Sequence, residues 1–373
     1  MSEVFVIYGN RVERMVRQLL EKTGALDRLR PDDRVMIKPN LLVSRQKWVG
    51  ITTDPRVVEA LVKTLKERGI HRITVGDGSG MGYSATKAFE YCGYRDMASR
   101  YGLNLVDLER DEFIEKPVHM EGPFKSLEIA RTALECDYFV NVPLMKAHNE
   151  TLITCSLKNL KGTLSRSMKT AFHGVNLHKA IAQLNSVLLP NLIIVDGLQG
   201  DLHSESGHDP VVMDRMILGT NPVEVDSFVA DALGYQPRDI RHIAYSADAG
   251  LGTGDLEKIK IQSLNRPSEI KRFSPPTHYS KKFPCSISAE GACCTCMGNF
   301  IFALERLNEK GILSEGLSFL IGQHLKIPTQ KKAFTIAVGQ CASKQVVADL
   351  CIDECPPTAG NIYQGVASAI TKR

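Results

Sequence analysis

Cysteine is the most chemically pointed residue type in this 373-residue chain. Seven of its ten cysteines, Cys285, Cys293, Cys294, Cys296, Cys341, Cys351 and Cys355, fall between positions 285 and 355. Disulfide frameworks belong to small secreted chains, so clustering of this kind points to metal or redox chemistry. Cys293-Cys294-Thr295-Cys296 contains one C-x-x-C step. Two thiolates at that spacing can serve one centre from a single turn, and the remaining ligands must come from elsewhere. Structural zinc sites usually pair two close steps. Here the second half is spread out, and its last cysteine precedes Pro356-Pro357, as in ferredoxin-type ligation. The pattern predicts a [4Fe–4S] cluster on Cys293, Cys296, Cys341 and Cys355, with zinc as the alternative and thiol redox as a third reading. Cys285, Cys294 and Cys351 are spares. A helix opening at Met297 or Gly298 would turn its N-terminal dipole toward an anionic cluster. Cys92, Cys136 and Cys155 read as buried small hydrophobes.

A second constellation is basic. Asn141-Val-Pro143-Leu-Met-Lys146-Ala-His148 is followed by Ser156-Leu-Lys158-Asn159-Leu-Lys161-Gly162, and Lys38-Pro39-Asn40 repeats the chemistry upstream. Few acids neighbour these lysines in sequence. Converging ammonium groups, with Asn40 and Asn159 as donors, would hold a phosphate or carboxylate, and a desolvated lysine or His148 could move a proton. The competing reading is a solvated basic face. Asp77, Asp196 and Asp226 are candidate acid, base or metal partners. The loop from Asp201 to Pro210, with His203, Glu205, His208 and Asp209, could bind a metal or form an ordinary polar turn. Gly76-Asp77-Gly78-Ser79-Gly80 matches neither a dinucleotide fingerprint nor a Walker loop and reads as a tight turn.

The elements that must position these residues alternate. Strands are predicted at Val4–Ile7, Arg34–Ile37, Arg72–Val75, Leu103–Val106, Tyr138–Val142, Leu192–Val195 and Arg215–Leu218. Helices are predicted at Arg11–Glu21, where Val12, Met15, Val16, Leu19 and Leu20 repeat at helical spacing, and from Pro55, Leu177 and Pro222. This alternation implies an α/β fold with a mainly parallel sheet, helices on both faces, and a C-terminal Cys-rich α/β segment. Ligands of such sheets bind beyond the carboxyl ends of the strands, where Lys38, Asp77, Asn141 and Asp196 fall. The predicted organisation is an α/β domain over 1–262, a Pro-rich polar linker or surface arm over 263–284, and the Cys-rich segment over 285–373.

Composition narrows the function classes. Hydrophobic residues are 43% and charged residues 24%, an ordinary globular balance. The net charge of +4 and an aromatic content of 6% speak against nucleic acid as a partner. No apolar run reaches the ~18 residues of a membrane helix, and the N-terminus lacks a signal-peptide pattern. A cytoplasmic protein with no membrane partner is expected.

Several of these segments, in order, resemble the bacterial and archaeal family called domain of unknown function 362. They are Lys38-Pro39-Asn40, Thr53-Asp54-Pro55, Gly76-Asp77-Gly78, Asn141 to His148, Ser156 to Gly162, Asp196-Gly197 and Asn221-Pro222-Val223-Glu224-Val225-Asp226. The resemblance covers roughly Met1 to Tyr235. It implies iron–sulfur content, which members often have, and supplies no general activity. Members commonly end in Gly-Cys-Pro-Pro where this chain has Glu354-Cys355-Pro356-Pro357, and many read Glu-Gly-x-Gly-Pro near Glu205.

The expected function is an iron–sulfur oxidoreductase acting on a small anionic molecule, with a redox partner protein. Lys146, His148, Asp196 and Asp226 are its expected catalytic residues; Lys38, Asn40, Lys158, Asn159 and Lys161 are expected to bind substrate. The alternatives are a non-enzymatic electron or cluster carrier and a metal-dependent isomerase or hydrolase with structural zinc.

Overall fold

Apolar residues recur with the right period to bury one face of helices such as Val12–Thr23 against central strands, among them Val35–Pro39, that are buried on both faces. In a computed structural model, which describes residues 3–42, 49–80, 84–148, 150–202, 210–274, 283–289, 291–292, 294–323, 325 and 333–371, the chain forms two compact units, Met1–Pro275 and Pro276–Arg373.

The first unit is built on an eight-stranded sheet. Its order is Lys260–Ser263, Glu3–Tyr8, Pro210–Gly219, Leu192–Asp201, Tyr138–Val142, Val35–Pro39, Ile73–Asp77, Asn104–Asp107. Pro210–Gly219 runs antiparallel to both neighbours, and every other pairing is parallel. Two apolar cores cover the sheet, one containing Val16, Leu61 and Val75, the other Phe139, Ile181 and Val229. Local signals set the helix ends. Helix Val12–Thr23 stops at Gly24, whose φ of +61° is a left-handed position that glycine adopts without strain. Helix Pro55–Glu67 has proline at its start and the Asp54 side chain capping the Arg56 N–H. Asn221 and Pro222 do the same for Pro222–Ala232.

Residues 263–274, where a linker or surface arm is expected, are bound to this sheet. Leu264 donates to the Val6 carbonyl, and Asn265 bonds both backbone groups of Tyr8. The Lys271 ammonium lies 2.5 Å from Asp214, and Arg215, buried beneath, donates to the Lys271 carbonyl and stacks against Phe273. The first unit therefore extends past residue 262.

The second unit has a four-stranded, all-parallel sheet ordered Ser286–Ser288, Leu317–Ile321, Phe334–Val338, Leu350–Ile352. Phe300, Ile301 and Leu304 of helix Cys294–Glu309 pack with Ile362 and Val366 of helix Ala359–Thr371 on Phe319, Ile336 and Val338. One sequence expectation changes here. The helix starts at Cys294 rather than at Met297 or Gly298, so Cys296 lies within its first turn. Thr295 carries no helix-breaking chemistry, and Gly298 weakens a helix interior without stopping it. Among the described residues no helix is long and apolar enough to cross a membrane.

Candidate functional site

The carboxyl ends of the parallel strands carry a dense polar network. Lys38, the fourth residue of its strand, is fully buried, and its ammonium lies 2.6 Å from Asp77 at the end of the next strand. Asp77 also accepts the Leu41 N–H at 2.7 Å. Burial pulls the Lys38 pKa down and pushes that of Asp77 up, each opposed by the partner's charge. Asp77, a candidate acid, base or metal partner by sequence, comes from the neighbouring strand and here matches the charge of Lys38.

Glycine makes this contact possible. A Cβ on Gly162 would fall on Asp77 Oδ1 and lie 2.6 Å from Lys38 Nζ. Gly162 in turn accepts the Gly78 N–H at 3.0 Å, and a Cβ on Gly78 would collide with Lys169 Nζ. Lys169 is buried, bonds the Ser79 carbonyl at 3.2 Å and pairs with Glu109 at 2.9 Å. Sequence reading missed Lys169; nothing in its local pattern distinguishes it from an exposed helical lysine.

Amides form the second layer. Asn159 donates to Asn141 Oδ1 at 2.7 Å and accepts from Asn40 Nδ2 at 3.2 Å. Asn141 donates to the carbonyl and hydroxyl of Ser156, each at 3.1 Å. Asn40 and Asn159 are thus brought together. Asn40 Oδ1 has no hydrogen-bond partner among the described residues.

The other candidate basic residues are also held in the interior or against neighbouring groups. Lys146, fully buried on the hairpin formed by Lys146–His148 and Leu152–Thr154, donates to the Ile51 carbonyl at 2.6 Å. His148 Nδ1 accepts the N–H groups of Glu150 and Thr151 at 3.0 and 3.1 Å. Nδ1 therefore presents a lone pair, and the proton of the neutral ring sits on Nε2. Lys158 is buried, and Lys161 Nζ lies 5.6 Å from the centroid of the Phe172 ring. The alternative of four lysines in open solvent does not describe Lys38, Lys146 or Lys158, all 9% exposed or less.

Asp196 and Asp226 are both engaged by backbone N–H groups. Asp196 accepts the N–H groups of Asp54 and Leu198 at 2.7 and 3.0 Å. Asp226 accepts those of Ser156 and Leu157 at 2.7 and 3.0 Å, capping the turn that carries Lys158. Burial pushes both carboxyl groups up to about 7, against their backbone hydrogen bonds. A raised carboxyl pKa contributes stability that is complete below the unfolded value and lost as pH rises through the folded one. His178 and His242, whose pKa values burial lowers, have the opposite slope. Comparison with Asp226→Asn isolates the carboxyl. The variant, short of one acceptor, should be less stable at pH 5, and its deficit should narrow toward pH 8 in urea titrations. A deficit independent of pH would show that Asp226 does not titrate in this range.

In the second unit, Cys296, Cys341 and Cys355 belong to segments that meet. A Cβ on Gly339 would lie 3.8 Å from Cys296 Sγ, 3.8 Å from the Glu354 carbonyl and 3.7 Å from Pro357. The Gln340 N–H donates to that carbonyl at 3.0 Å, and Asn299, one turn after Cys296, donates to the Pro357 carbonyl. Cys341 and Cys355 are exposed thiols and Cys296 is partly buried. Cys293 lies outside the described residues, as do residues 203–209 of the loop considered for metal binding. Cys285 is a core residue whose thiol burial pushes up to about 11. Cys351 pairs with Ala337 in the sheet and is exposed, while its neighbour Ile352 faces the core. Among the described residues no three His, Cys, Asp or Glu side chains are grouped as ligands of one ion. An iron–sulfur cube engages each thiolate at a different iron, so its ligands stand further apart.

The family model for the domain of unknown function, DUF362, matches residues 35–231, from the Lys38 strand through the helix that carries Asp226. The chain belongs to the DUF362 family. Thylakoid-associated protein sll1697 of Synechocystis sp. is 26% identical over 263 residues, covering 68% of this chain and 79% of the relative. The lactate racemase apoprotein from Thermoanaerobacterium thermosaccharolyticum is 13% identical at a TM-score of 0.38, covering 91% of this chain and 70% of that one. That structural likeness is too low to carry an argument. The DUF362 match contains the whole Lys38–Asp77 and Asn40–Asn159–Asn141 network; all seven clustered cysteines lie beyond it.

Proposed function

We propose that this DUF362 protein is an iron–sulfur oxidoreductase that acts on a small anionic molecule. The observation that carries the reading is the meeting of Cys296, Gly339 and the Glu354–Pro357 turn, which brings the three described candidate cysteines onto adjoining segments. Cys293, Cys296, Cys341 and Cys355 would hold a [4Fe–4S] cluster, whose chemistry is one-electron transfer. Cys296 sits in the first turn of a sixteen-residue helix, where the dipole favours thiolate charge. The glycine at 339 has no side chain to crowd that space, and its φ of +87° suits glycine.

In the first unit, Lys146, His148, Lys158 and Lys161 are the groups proposed to bind and orient the anion. His148, whose Nδ1 accepts two backbone N–H groups, is the group proposed to move a proton. Lys38 is assigned a supporting role, because its charge is already matched by Asp77. A cytoplasmic location and a redox partner protein belong to the same proposal, since thiolate clusters persist in reducing compartments.

Anaerobic purification with metal analysis tests the reading. Brown protein with about four irons per chain is expected. Stoichiometric zinc in colourless protein would overturn it in favour of the isomerase or hydrolase alternative. Iron without any anion binding by the first unit would favour the carrier alternative.

A further inference from the structure

Helices Val12–Thr23 and Pro55–Glu67 of the first unit run parallel and are tied together twice. Lys63 meets Glu13 at 3.0 Å, and one turn on Arg17 grips both oxygens of Glu67 at 2.7 and 2.8 Å. Where the two helices begin lies a groove of about 710 Å³, within the range of roughly 300–1,000 Å³ common to small-molecule sites. Five cations line it: Arg11, Arg14, Arg17, Arg56 and Lys63. None of Lys146, His148, Lys158 and Lys161 does, so the groove is separate from the groups proposed above to bind an anion.

Three of the five cations are matched, Lys63 and Arg17 as above and Arg56 by Asp54 at 2.6 Å. Glu59, also in the lining, is held from outside it by Arg100 at 2.8 Å and the Tyr101 hydroxyl at 2.9 Å. Arg11 and Arg14 have no ion-pair or side-chain hydrogen-bond partner among the described residues. Three positions apart at the helix start, they are neighbours on its surface, so two unmatched positive charges stand side by side. The groove also offers acceptors. Lys63 takes Glu13 Oε2 and both partners of Glu59 take its Oε1, which leaves Glu13 Oε1 and Glu59 Oε2 without hydrogen bonds among the described residues. No aromatic ring belongs to the described lining, so a nucleobase finds no stacking platform there.

We propose that this groove binds a phosphomonoester of a polyhydroxy compound, such as a sugar phosphate. Arg11 and Arg14 take the phosphate, whose charge of about −2 above its second pKa matches theirs and whose oxygens suit guanidinium forks. The open oxygens of Glu13 and Glu59 accept hydroxyl groups of the polyol. A polyphosphate, with acceptors alone, would be repelled by these two carboxylates. An uncharged sugar would leave both arginines unmatched. The site goes beyond the oxidoreductase reading and does not depend on it.

Calorimetric titration of the full chain at pH 8 with glucose 6-phosphate, glucose and inorganic pyrophosphate tests this. Glucose 6-phosphate should bind about tenfold tighter, or more, than either of the others. Arg11→Gln and Arg14→Gln should each weaken it by about tenfold or more, the effect of losing a charge-assisted hydrogen bond. Both substitutions leave the three ion pairs of the groove in place, so the far-ultraviolet spectrum and the iron content should not change. Absence of glucose 6-phosphate binding would overturn the site. Equal binding of pyrophosphate would reduce it to bare charge attraction and overturn the ligand class. Undiminished binding in both arginine variants would place the ester elsewhere and overturn the assignment. Should Lys158→Ala then abolish that binding, the ester belongs to the strand-end lysines, and the anion reading stands while the groove site falls.

Discussion

Lys38→Met should destabilise the first unit by about 3–5 kcal/mol in urea unfolding, the range for removing one partner of a buried ion pair. Lys38 and Asp77 are both essentially inaccessible, at 0% and 2% exposure. Methionine keeps the length and apolar stem of the side chain, so the loss comes from the uncompensated Asp77 carboxyl. Adding Asp77→Asn should recover a substantial part, because the amide oxygen can still accept the Leu41 N–H and no charge remains buried. Gly162→Ala should act in the same direction without removing any polar group, since its methyl would occupy the space of the ion pair. If Lys38→Met costs less than about 1 kcal/mol, the surface range, the pair is solvated and its assigned supporting role is wrong.

Cys296→Ser, Cys341→Ser and Cys355→Ser should each remove most of the iron from anaerobically purified protein, taking about four irons per chain toward zero. Cys293→Ser should do the same. Serine is nearly isosteric, so folding of the second unit should persist in the far-ultraviolet spectrum. The controls follow from burial. Cys285 is in the core and Cys351 is an exposed strand residue paired with Ala337, so serine at either position should leave iron content within about a fifth of wild type. Loss on Cys351→Ser equal to that on Cys355→Ser would show that the ligand set is wrongly chosen. Retention of iron by Cys296→Ser would remove the observation on which the proposed function stands.

The elements were legible in the sequence for a physical reason. Val12, Met15, Val16, Leu19 and Leu20 announce their helix because burying one face demands helical spacing. Strands such as Tyr138–Val142 announce themselves because a sheet covered on both faces needs uninterrupted apolar runs. Proline after Asp54 and after Asn221 marks helix starts through backbone chemistry alone. The family, too, was legible from motifs in their order along the chain.

Pairings across distance were decided by the tertiary structure alone. Lys38 and Asp77 are 39 positions apart and meet because parallel strands lie side by side. Lys169 reaches Ser79 and Glu109 because Gly78 and Gly162 let backbones approach. Asp226, expected to take part in chemistry, caps a turn 70 positions upstream. His178 and His242, from helices with no shared motif, stack. Local sequence encodes backbone preference and periodicity, which act within a few residues. Charge pairing and burial depend on which distant surfaces are pressed together, and the chain specifies that only through the packing of the whole unit.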